Sequence, residues 1–265
     1  MSKAKLRAKN KAKENVAKPK PKPIVEITEE MRLNKYVAHC GICSRRKADE
    51  HIKAGKVKVN DEVVYEMGYK VQPGEIVTFE GKRVTPVGEM IYILLNKPKN
   101  VITSVKDERD RRTVMDFIGH ITKERVYPVG RLDRNTTGLL LLTNDGQLAQ
   151  KLSHPSHEVE KVYKATLDKP MTDSDLQKIR DTLELEDGPA PVDAVEYVEG
   201  REKNVVGIEL HIGRNRIVRR IFAHLGYTVV KLDRVRYAML NKKTLPVGRS
   251  RKLTKKEVIV LKHLV

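Results

Sequence analysis

Asp133 lies between Arg131 and Arg134 in a polar, turn-prone segment, and the apolar run Leu139–Leu142 follows it. A guanidinium group close to a carboxylate favours the ionised form of that carboxylate. An ionised carboxylate suits a nucleophile or an electrostatic anchor, and it does not suit a general acid, which must hold a proton at neutral pH. Asp133 is therefore the first candidate for a catalytic residue.

A helix predicted over residues 215–225 carries a second group of charged side chains. Arg216, Arg219 and Arg220 fall on one arc of the helical wheel, and apolar residues fill the opposite arc. Because the apolar side must pack on a sheet, the arginines are expected to face outward. They could bind phosphates, or one could pair with a catalytic carboxylate. The alternative is an ordinary solvated charged face.

Other candidate groups are weaker when taken alone. Tyr163 lies in a short alternating strand, where a half-buried packing role is the simpler interpretation. His154 and His157 have no partner at a recognisable ligand spacing, so we interpret them as loop histidines. The chain has no phosphate-binding glycine loop and no dinucleotide fingerprint. We therefore expect no cofactor.

Cys40 and Cys43 are the only cysteines, and they form a C-x-x-C pair. A redox role needs a thioredoxin-like context that the neighbouring residues do not offer. A zinc site needs two further ligands, for which His39 and His51 are the nearby candidates. We expect no metal and interpret both thiols as small apolar fillers in a helical turn.

Composition indicates the partner. The 265 residues carry a formal net charge of +18, from 53 Lys and Arg against 35 Asp and Glu. Such an excess predicts a polyanionic partner, most commonly nucleic acid. No apolar stretch is long enough to cross a bilayer, and the basic N-terminus lacks the apolar region of a secretory signal. We therefore expect a cytoplasmic protein with no membrane partner.

Three parts are predicted along the chain. Residues 1–27 form a basic arm, in which nine Lys and Arg stand against Glu14 alone over residues 1–23. The arm could contact phosphates or act only as a solubilising tail. Residues 28–88 form a small helix-turn-helix-hairpin domain, and residues 89–265 form a larger α+β domain.

The small domain has clear local signals. Thr28 with Glu29 and Glu30 predicts the start of a first helix that Gly41 ends, and Ser44 is a plausible N-cap of a second helix. The alternation at residues 57–59 and the turn Asn60-Asp61 predict a β-hairpin.

The larger domain mixes its elements. Strands are predicted near residues 91–96, 139–142 and 205–212, and helices near residues 147–152 and 173–183. This order shows no repeated strand–helix alternation. We therefore expect a mixed, largely antiparallel sheet with helices packed against it.

The small domain resembles the alpha-L RNA-binding motif, which is named for a small-subunit ribosomal protein. The matching positions are Arg32-Leu33-Asn34-Lys35, Gly41, Ser44-Arg45-Arg46-Lys47-Ala48, Ile52, Gly55, Val57, Val59 and Asn60. The resemblance implies that Arg32, Lys35, Arg45, Arg46 and Lys47 bind RNA.

The larger domain is similar to the pseudouridine synthases that act on ribosomal RNA. The matching motifs are Leu95-Asn96-Lys97-Pro98, Tyr127-Pro128-Val129-Gly130-Arg131-Leu132-Asp133, Gly138 to Gly146, His154-Pro155, Lys161-Val162-Tyr163, Gly213 to Arg220 and Lys231 to Arg236. The resemblance implies isomerisation of a uridine to its C-glycoside without a cofactor.

The resemblance also implies residue roles. Asp133 would be the nucleophile, Tyr163 would lie against the target base, and Arg219 would pair with the Asp133 carboxylate. The substrate-binding residues would be Leu232 in the uracil pocket together with Arg131, Arg216 and Arg220.

Motifs at residues 213–216 and 234–238 are most similar to the large-subunit (type B) members. The expected substrate is therefore 23S ribosomal RNA, or a ribosome assembly intermediate, bound by a monomer. Three alternatives are a synthase for small-subunit (16S) RNA, a non-catalytic RNA-binding assembly factor and a base-excising glycosidase. The intact set of Asp133, Tyr163 and Arg219 favours an enzyme over a pure binder. The glycosidase is disfavoured because it needs an activated water.

Overall fold

The computed structural model describes residues 27–265. The predicted basic arm, residues 1–27, lies outside this part of the chain apart from Ile27. By their internal contacts the described residues divide into two compact units, one that ends at Glu89 and one that spans Met90–Val265. Over the described residues, no helix has both the length and the apolar character that a membrane crossing requires.

The N-terminal unit packs two short helices against small sheets. Its elements are α1 Leu33–His39, α2 Arg45–Lys53, β1 Met31–Arg32, β2 Val57–Val59, β3 Glu62–Val63, β4 Lys70–Val71, β5 Val77–Phe79 and β6 Lys82–Arg83. Strands β3, β2, β5 and β6 form one sheet, and β1 pairs with β4. The Ser44 side chain accepts a hydrogen bond from the Lys47 amide, which confirms the predicted N-cap. The pairing of β2 with β3 confirms the predicted hairpin.

One apolar core holds the N-terminal unit together. Leu33 and Val37 from α1 meet Ala48 and Ile52 from α2 in this core. Cys40 and Cys43 pack partly buried against the same core, and they are not joined in a disulfide. Burial raises the pKa of the Cys40 thiol to about 12, so it remains protonated and behaves as an apolar filler.

The C-terminal unit is built on one large sheet. Its strands are β7 Tyr92–Lys97, β8 Tyr127–Pro128, β9 Thr137–Thr143, β10 Lys161–Leu167, β11 Leu183–Leu185, β12 Gly188–Ala190, β13 Ala194–Tyr197, β14 Val205–Leu210, β15 Val229–Tyr237, β16 Leu240–Asn241 and β17 Ser250–Lys252. Its helices are α3 Gly146–Ser153, α4 Asp173–Arg180, α5 Ile217–His224 and α6 Lys255–His263.

The strand order in the large sheet is β13-β14-β10-β15-β9-β7-β17. Neighbouring strands along this path are antiparallel except for β9 and β15, which run parallel. The predicted α+β class with a mixed, largely antiparallel sheet is therefore confirmed. The parallel pair matters for function because it places the start of β9 beside the middle of β15.

Strand β9 is buried on both faces, which accounts for its unbroken run of leucines. Leu139 and Leu141 pack into one apolar cluster, whereas Leu140 and Leu142 pack into another on the opposite face. A strand covered on both sides has no solvated face, so its sequence shows no alternation. This strand fixes the end of the segment that contains Asp133.

Three predicted helix boundaries are wrong. Helix α1 begins at Leu33 rather than next to Thr28, because Met31–Arg32 forms strand β1 and pairs with β4. Helix α4 ends at Arg180 rather than near residue 183, because Thr182 adopts a left-handed backbone with φ of 65° and Leu183 begins a hairpin with β12. Helix α5 begins at Ile217, two residues later than predicted, because Arg216 has a φ of 49°. Arg216 is therefore not part of the basic arc of the helix.

Gly138 marks the place where β9 and β15 meet. Its φ is 116°, and a Cβ added there would lie 2.4 Å from the Arg234 carbonyl oxygen and 2.5 Å from the Arg234 amide nitrogen. Only glycine permits this conformation and this close approach of two backbones. The contact holds the two strands in a fixed register beside the candidate site.

Candidate active site

A cavity of about 580 Å³ opens in the C-terminal unit. Its lining includes Asp133, Tyr163 and Leu232, together with the exposed guanidinium groups of Arg131 and Arg216. Among the described residues that line the cavity, Asp133 is the only carboxylate. Of the seven residues predicted for catalysis and substrate binding, the structure therefore brings five to the cavity wall.

The partners of Asp133 come from helix α5 and from the residue that precedes it, rather than from its chain neighbours. Its Oδ2 lies 3.5 Å from Arg216 Nη1 and 3.8 Å from Arg219 Nε. Within residues 27–265, neither Arg131 nor Arg134 forms an ion pair with Asp133, so the expectation that these flanking arginines act on it is corrected. Because the chain turns here, neighbouring side chains point in different directions. Residues that are adjacent in sequence therefore do not pair with Asp133.

Arg219 is placed to support the carboxylate. Its side chain is 14% exposed, and its Nη1 donates a hydrogen bond to the Val229 carbonyl oxygen at 2.7 Å. Burial and the positive charge of Arg216 lower the pKa of Arg219, and the negative charge of Asp133 opposes that shift. Nε of Arg219 is buried and has no hydrogen-bond partner in the described chain, so it remains available to an oxygen that moves closer.

Backbone and hydroxyl groups hold the Asp133 loop, defined as residues 130–136. The Thr103 hydroxyl donates to the Leu132 carbonyl oxygen at 2.8 Å and accepts from the Leu132 amide at 3.2 Å. The Thr136 amide donates to the Asp133 carbonyl oxygen at 3.0 Å, and the Asn100 amide donates to the Arg134 carbonyl oxygen at 2.9 Å. These bonds fix the loop on both sides of the carboxylate.

Lys97 is a supporting residue to which the sequence analysis assigned no role. Its side chain is fully buried, and Nζ donates to the carbonyl oxygens of Val101 at 2.8 Å, Pro98 at 3.1 Å and Arg134 at 3.3 Å. Burial lowers the pKa of Lys97 to about 8, and the charge of Asp133 acts in the opposite direction. The available signal was a lysine that directly continues an apolar strand and precedes a proline.

The buried Lys97 predicts a pH dependence of stability. The native state releases this proton near pH 8, whereas the unfolded chain holds it to about 10.5. Between these values the unfolded state binds more protons, so the free energy of unfolding rises with pH, by up to about 1.4 kcal/mol per unit. Urea unfolding at pH 8 and pH 10 should therefore show a gain of roughly 2 kcal/mol for wild type relative to Lys97→Met.

Lys164→Met is the matched control for that measurement. Lys164 is an exposed lysine of β10. The difference in free energy of unfolding between wild type and Lys164→Met should therefore be the same at pH 8 and at pH 10. If the free energy of unfolding changed with pH in the same way for wild type and Lys97→Met, the buried Lys97 would not be the source of the pH dependence.

Arg220 does not reach the cavity, contrary to its predicted role in substrate binding. Its Nη1 and Nη2 bind the Asp187 carboxylate at 2.8 and 2.5 Å. Arg214 Nη1 binds the same carboxylate at 2.9 Å, and the two arginines tie the β11–β12 hairpin to the start of α5. The Arg220 hydrogen bonds lower the pKa of Asp187 to about 2, so the carboxylate is ionised at neutral pH.

Tyr163 and Leu232 are diagonal neighbours on the adjacent strands β10 and β15. Tyr163 is half-buried on β10, opposite Arg234 of β15, and it packs against two apolar clusters. Leu232 is buried beside it, opposite Ala165. Tyr163 therefore both packs against the apolar clusters and forms part of the cavity wall.

The RNA-binding candidates of the N-terminal unit lie on or beside its two helices. Arg32 precedes α1 and is exposed, and Lys35 lies half-buried on α1. Arg45, Arg46 and Lys47 form the exposed first turn of α2, where Lys47 pairs with Glu50. Three adjacent exposed cations can contact a phosphate backbone.

Among the described residues, the histidine and cysteine side chains form no metal-binding arrangement. In the part of the chain that the structure describes, no three His, Cys, Asp or Glu residues come together as ligands. His154 lines the cavity, and its Nδ1 lies 2.7 Å from the Ser156 hydroxyl. Its place is at the start of a short 3-10 turn, Pro155–His157.

A cavity that combines one carboxylate, an apolar wall and exposed arginines is typical of an enzyme with an anionic substrate. Residues 91–224 match the family described as RNA pseudouridylate synthase, and residues 31–77 match the S4 domain. The chain belongs to the RNA pseudouridylate synthase family, as its motifs predicted, and it is an RNA pseudouridine synthase.

Named relatives cover nearly the whole chain. Ribosomal large subunit pseudouridine synthase B of Bacillus subtilis is 43% identical over 236 residues, which span 88% of this chain and 96% of the relative. Dual-specificity RNA pseudouridine synthase RluF of Shigella flexneri is 37% identical over 238 residues, or 89% of this chain and 79% of the relative. A crystal structure of a pseudouridylate synthase superposes with a TM-score of 0.62 at 30% identity, covering 89% of this chain and all of that one.

Proposed function

We propose that this protein converts a uridine of 23S ribosomal RNA to pseudouridine, with Asp133 as the nucleophile and without a cofactor. The observation that carries the proposal is that the only carboxylate among the described cavity-lining residues, Asp133, lies within 4 Å of two guanidinium groups. Guanidinium groups at these distances can orient the carboxylate toward a bound nucleotide, as a nucleophile requires.

The cavity offers each part of a flipped nucleotide a different surface. A base inside folded RNA must leave its stack to be reached, which costs a few kcal/mol. Tyr163 and Leu232 provide an apolar wall for the base, and Arg131 and Arg216 provide exposed cations for the flanking phosphates. Arg219 supports the Asp133 carboxylate through the contact at 3.8 Å.

The S4 domain supplies the second RNA contact in this proposal. Its candidate residues are Arg32, Lys35, Arg45, Arg46 and Lys47. Phosphate contacts of this kind provide affinity without reading sequence. Choice of the target uridine would then depend on the cavity and on RNA shape.

The choice of the large subunit rests on the relatives. The Bacillus subtilis relative is named as a large-subunit synthase, and that alignment covers almost the full length of both chains. A ribosome assembly intermediate is an equally suitable substrate, because it exposes the same RNA before the subunit is complete.

Pseudouridine mapping tests this function. The 16S and 23S RNAs from cells with and without the gene should differ by at least one 23S pseudouridine, which reappears when the gene is restored. A site lost from 16S RNA would redirect the proposal to the small subunit. Identical maps would overturn it.

A further inference from the structure

Arg234 is a buried arginine with most of its hydrogen-bonding capacity unused. It is 3% exposed and lines the cavity, and its Nε donates to the Leu139 carbonyl oxygen at 2.7 Å. Within residues 27–265, neither Nη1 nor Nη2 donates a hydrogen bond, and Nη2 is completely buried. A guanidinium group has five N–H donors, and the two on Nη2 are buried without an acceptor, which costs free energy. An arrangement of this kind requires an explanation.

The guanidinium group is held in a fixed orientation. It lies 4.6 Å above the ring centre of Tyr237, and the Tyr237 hydroxyl donates to the Leu152 carbonyl oxygen at 3.2 Å. The backbone of Arg234 is fixed by its contact with Gly138. A donor that is already oriented loses little entropy when it binds a partner.

The position of Arg234 indicates which part of a nucleotide it would meet. Arg234 and Leu232 are two residues apart on β15, both are buried, and Tyr163 lies directly opposite Arg234 on β10. Arg131 and Arg216 are exposed, so phosphates can be bound where solvent reaches the cavity. The buried, largely apolar end suits the flat uracil base, whose polar groups there would be carbonyl oxygens.

We propose that Arg234 donates a hydrogen bond from its guanidinium group to a carbonyl oxygen of the target uracil and holds the base while it is detached from the sugar. This inference rests on the proposed function. In the isomerisation the N1–C1′ bond breaks and its electron pair stays on the uracil, which places negative charge on the ring nitrogen and on the carbonyl oxygens.

The detached base must rotate before it can react again. The C5–C1′ bond then forms, C5 loses its proton and N1 gains one, so the product is an isomer of the substrate. A fixed guanidinium group in a site of low dielectric stabilises the negative charge and keeps the base in place. Arg234 would therefore act on the substrate itself, unlike Arg219, which acts through Asp133.

Single-turnover kinetics on a 23S RNA transcript test the proposal. Arg234→Gln should slow pseudouridine formation about 100-fold or more, because removing one fixed donor to a developing negative charge typically lowers the rate by this factor. Arg234→Lys keeps the positive charge but loses the planar guanidinium group. Its rate of pseudouridine formation should lie between those of wild type and Arg234→Gln. RNA affinity should change less than about threefold, since phosphate contacts dominate it.

Arg236→Gln is the matched control, because Arg236 is an exposed arginine of the same strand that pairs with Glu160 and Glu209. It should react at close to the wild-type rate. If wild type itself forms no pseudouridine, the proposed function has failed. If wild type reacts and Arg234→Gln keeps the same rate, only the role of Arg234 is overturned.

A substrate change separates a contact with the base from a purely structural role. RNA carrying 2-thiouridine or 4-thiouridine at the mapped position replaces one carbonyl oxygen with sulfur, which is a poorer acceptor. One of the two should slow wild type and have little further effect on Arg234→Gln, because both changes remove the same hydrogen bond. If both thio effects are as large in Arg234→Gln as in wild type, Arg234 does not contact the base.

Discussion

Replacing Asp133 with asparagine is expected to abolish pseudouridine formation, lowering the single-turnover rate by at least about 10⁴-fold. The amide keeps the size and shape of the carboxyl group but has neither its charge nor its nucleophilicity. The chemistry that the proposal assigns to the cavity would therefore stop, although RNA could still bind. Retention of more than about a tenth of the wild-type rate would exclude Asp133 as the nucleophile.

The same variant should remain folded. The Asp133 carboxylate forms two long ion pairs, at 3.5 and 3.8 Å, and its side chain is 34% exposed. Exposed pairs of this kind contribute little, so the free energy of unfolding should change by less than about 1 kcal/mol. Asp133→Ala, measured in parallel, guards against slow deamidation of asparagine back to aspartate. Asp181→Asn, at an exposed carboxylate outside the cavity lining, should react like wild type.

The second large effect is expected at Gly138, where a single methyl group should unfold the catalytic unit. In Gly138→Ala the new Cβ would meet three backbone atoms of Arg234 at 2.4 to 2.8 Å, and the residue must also keep a φ of 116°. The clash is between the new Cβ and the Arg234 backbone, so no flexible side chain can move aside to relieve it. We expect a loss of at least about 4 kcal/mol in the free energy of unfolding, or insoluble protein.

Gly207→Ala is the control for that experiment. Gly207 lies in β14 of the same sheet, and a Cβ there would be no closer than 3.8 Å to the nearest atom. Its free energy of unfolding should stay within about 1 kcal/mol of wild type. Urea unfolding compares the two variants, and the soluble fraction on expression provides a second measurement where Gly138→Ala cannot be purified. Equal stability of the two variants would show that β9 and β15 can separate without cost.

Much of the fold could be predicted from sequence patterns among neighbouring residues. The Ser44 cap, the hairpin at β2 and β3 and the leucine run of β9 each depend on residues close together in the chain, so their patterns were readable. Asp133 was also identified from its neighbourhood, although the arginines that pair with it lie on another element.

Contacts between distant residues were not readable in the same way. Nothing near Arg220 in the sequence indicates that Asp187, 33 residues earlier, binds it and keeps it from the cavity. The Lys97 ammonium group reaches Arg134 across 37 residues, and its burial could not be inferred from a charged residue at a strand end. The left-handed backbone of Arg216 depends on how the chain enters α5, which a helical wheel does not represent.

The parallel pairing of β9 with β15 also sets the order in which the protein acquires its abilities during synthesis. Asp133 and Arg216 are 83 residues apart, and Arg234 is separated from its Leu139 partner by 95. The cavity therefore cannot assemble until the ribosome has released β15. The N-terminal unit ends at Glu89 and has its own core, so it can fold much earlier. For part of its synthesis the chain is expected to be able to hold RNA without yet being able to modify it.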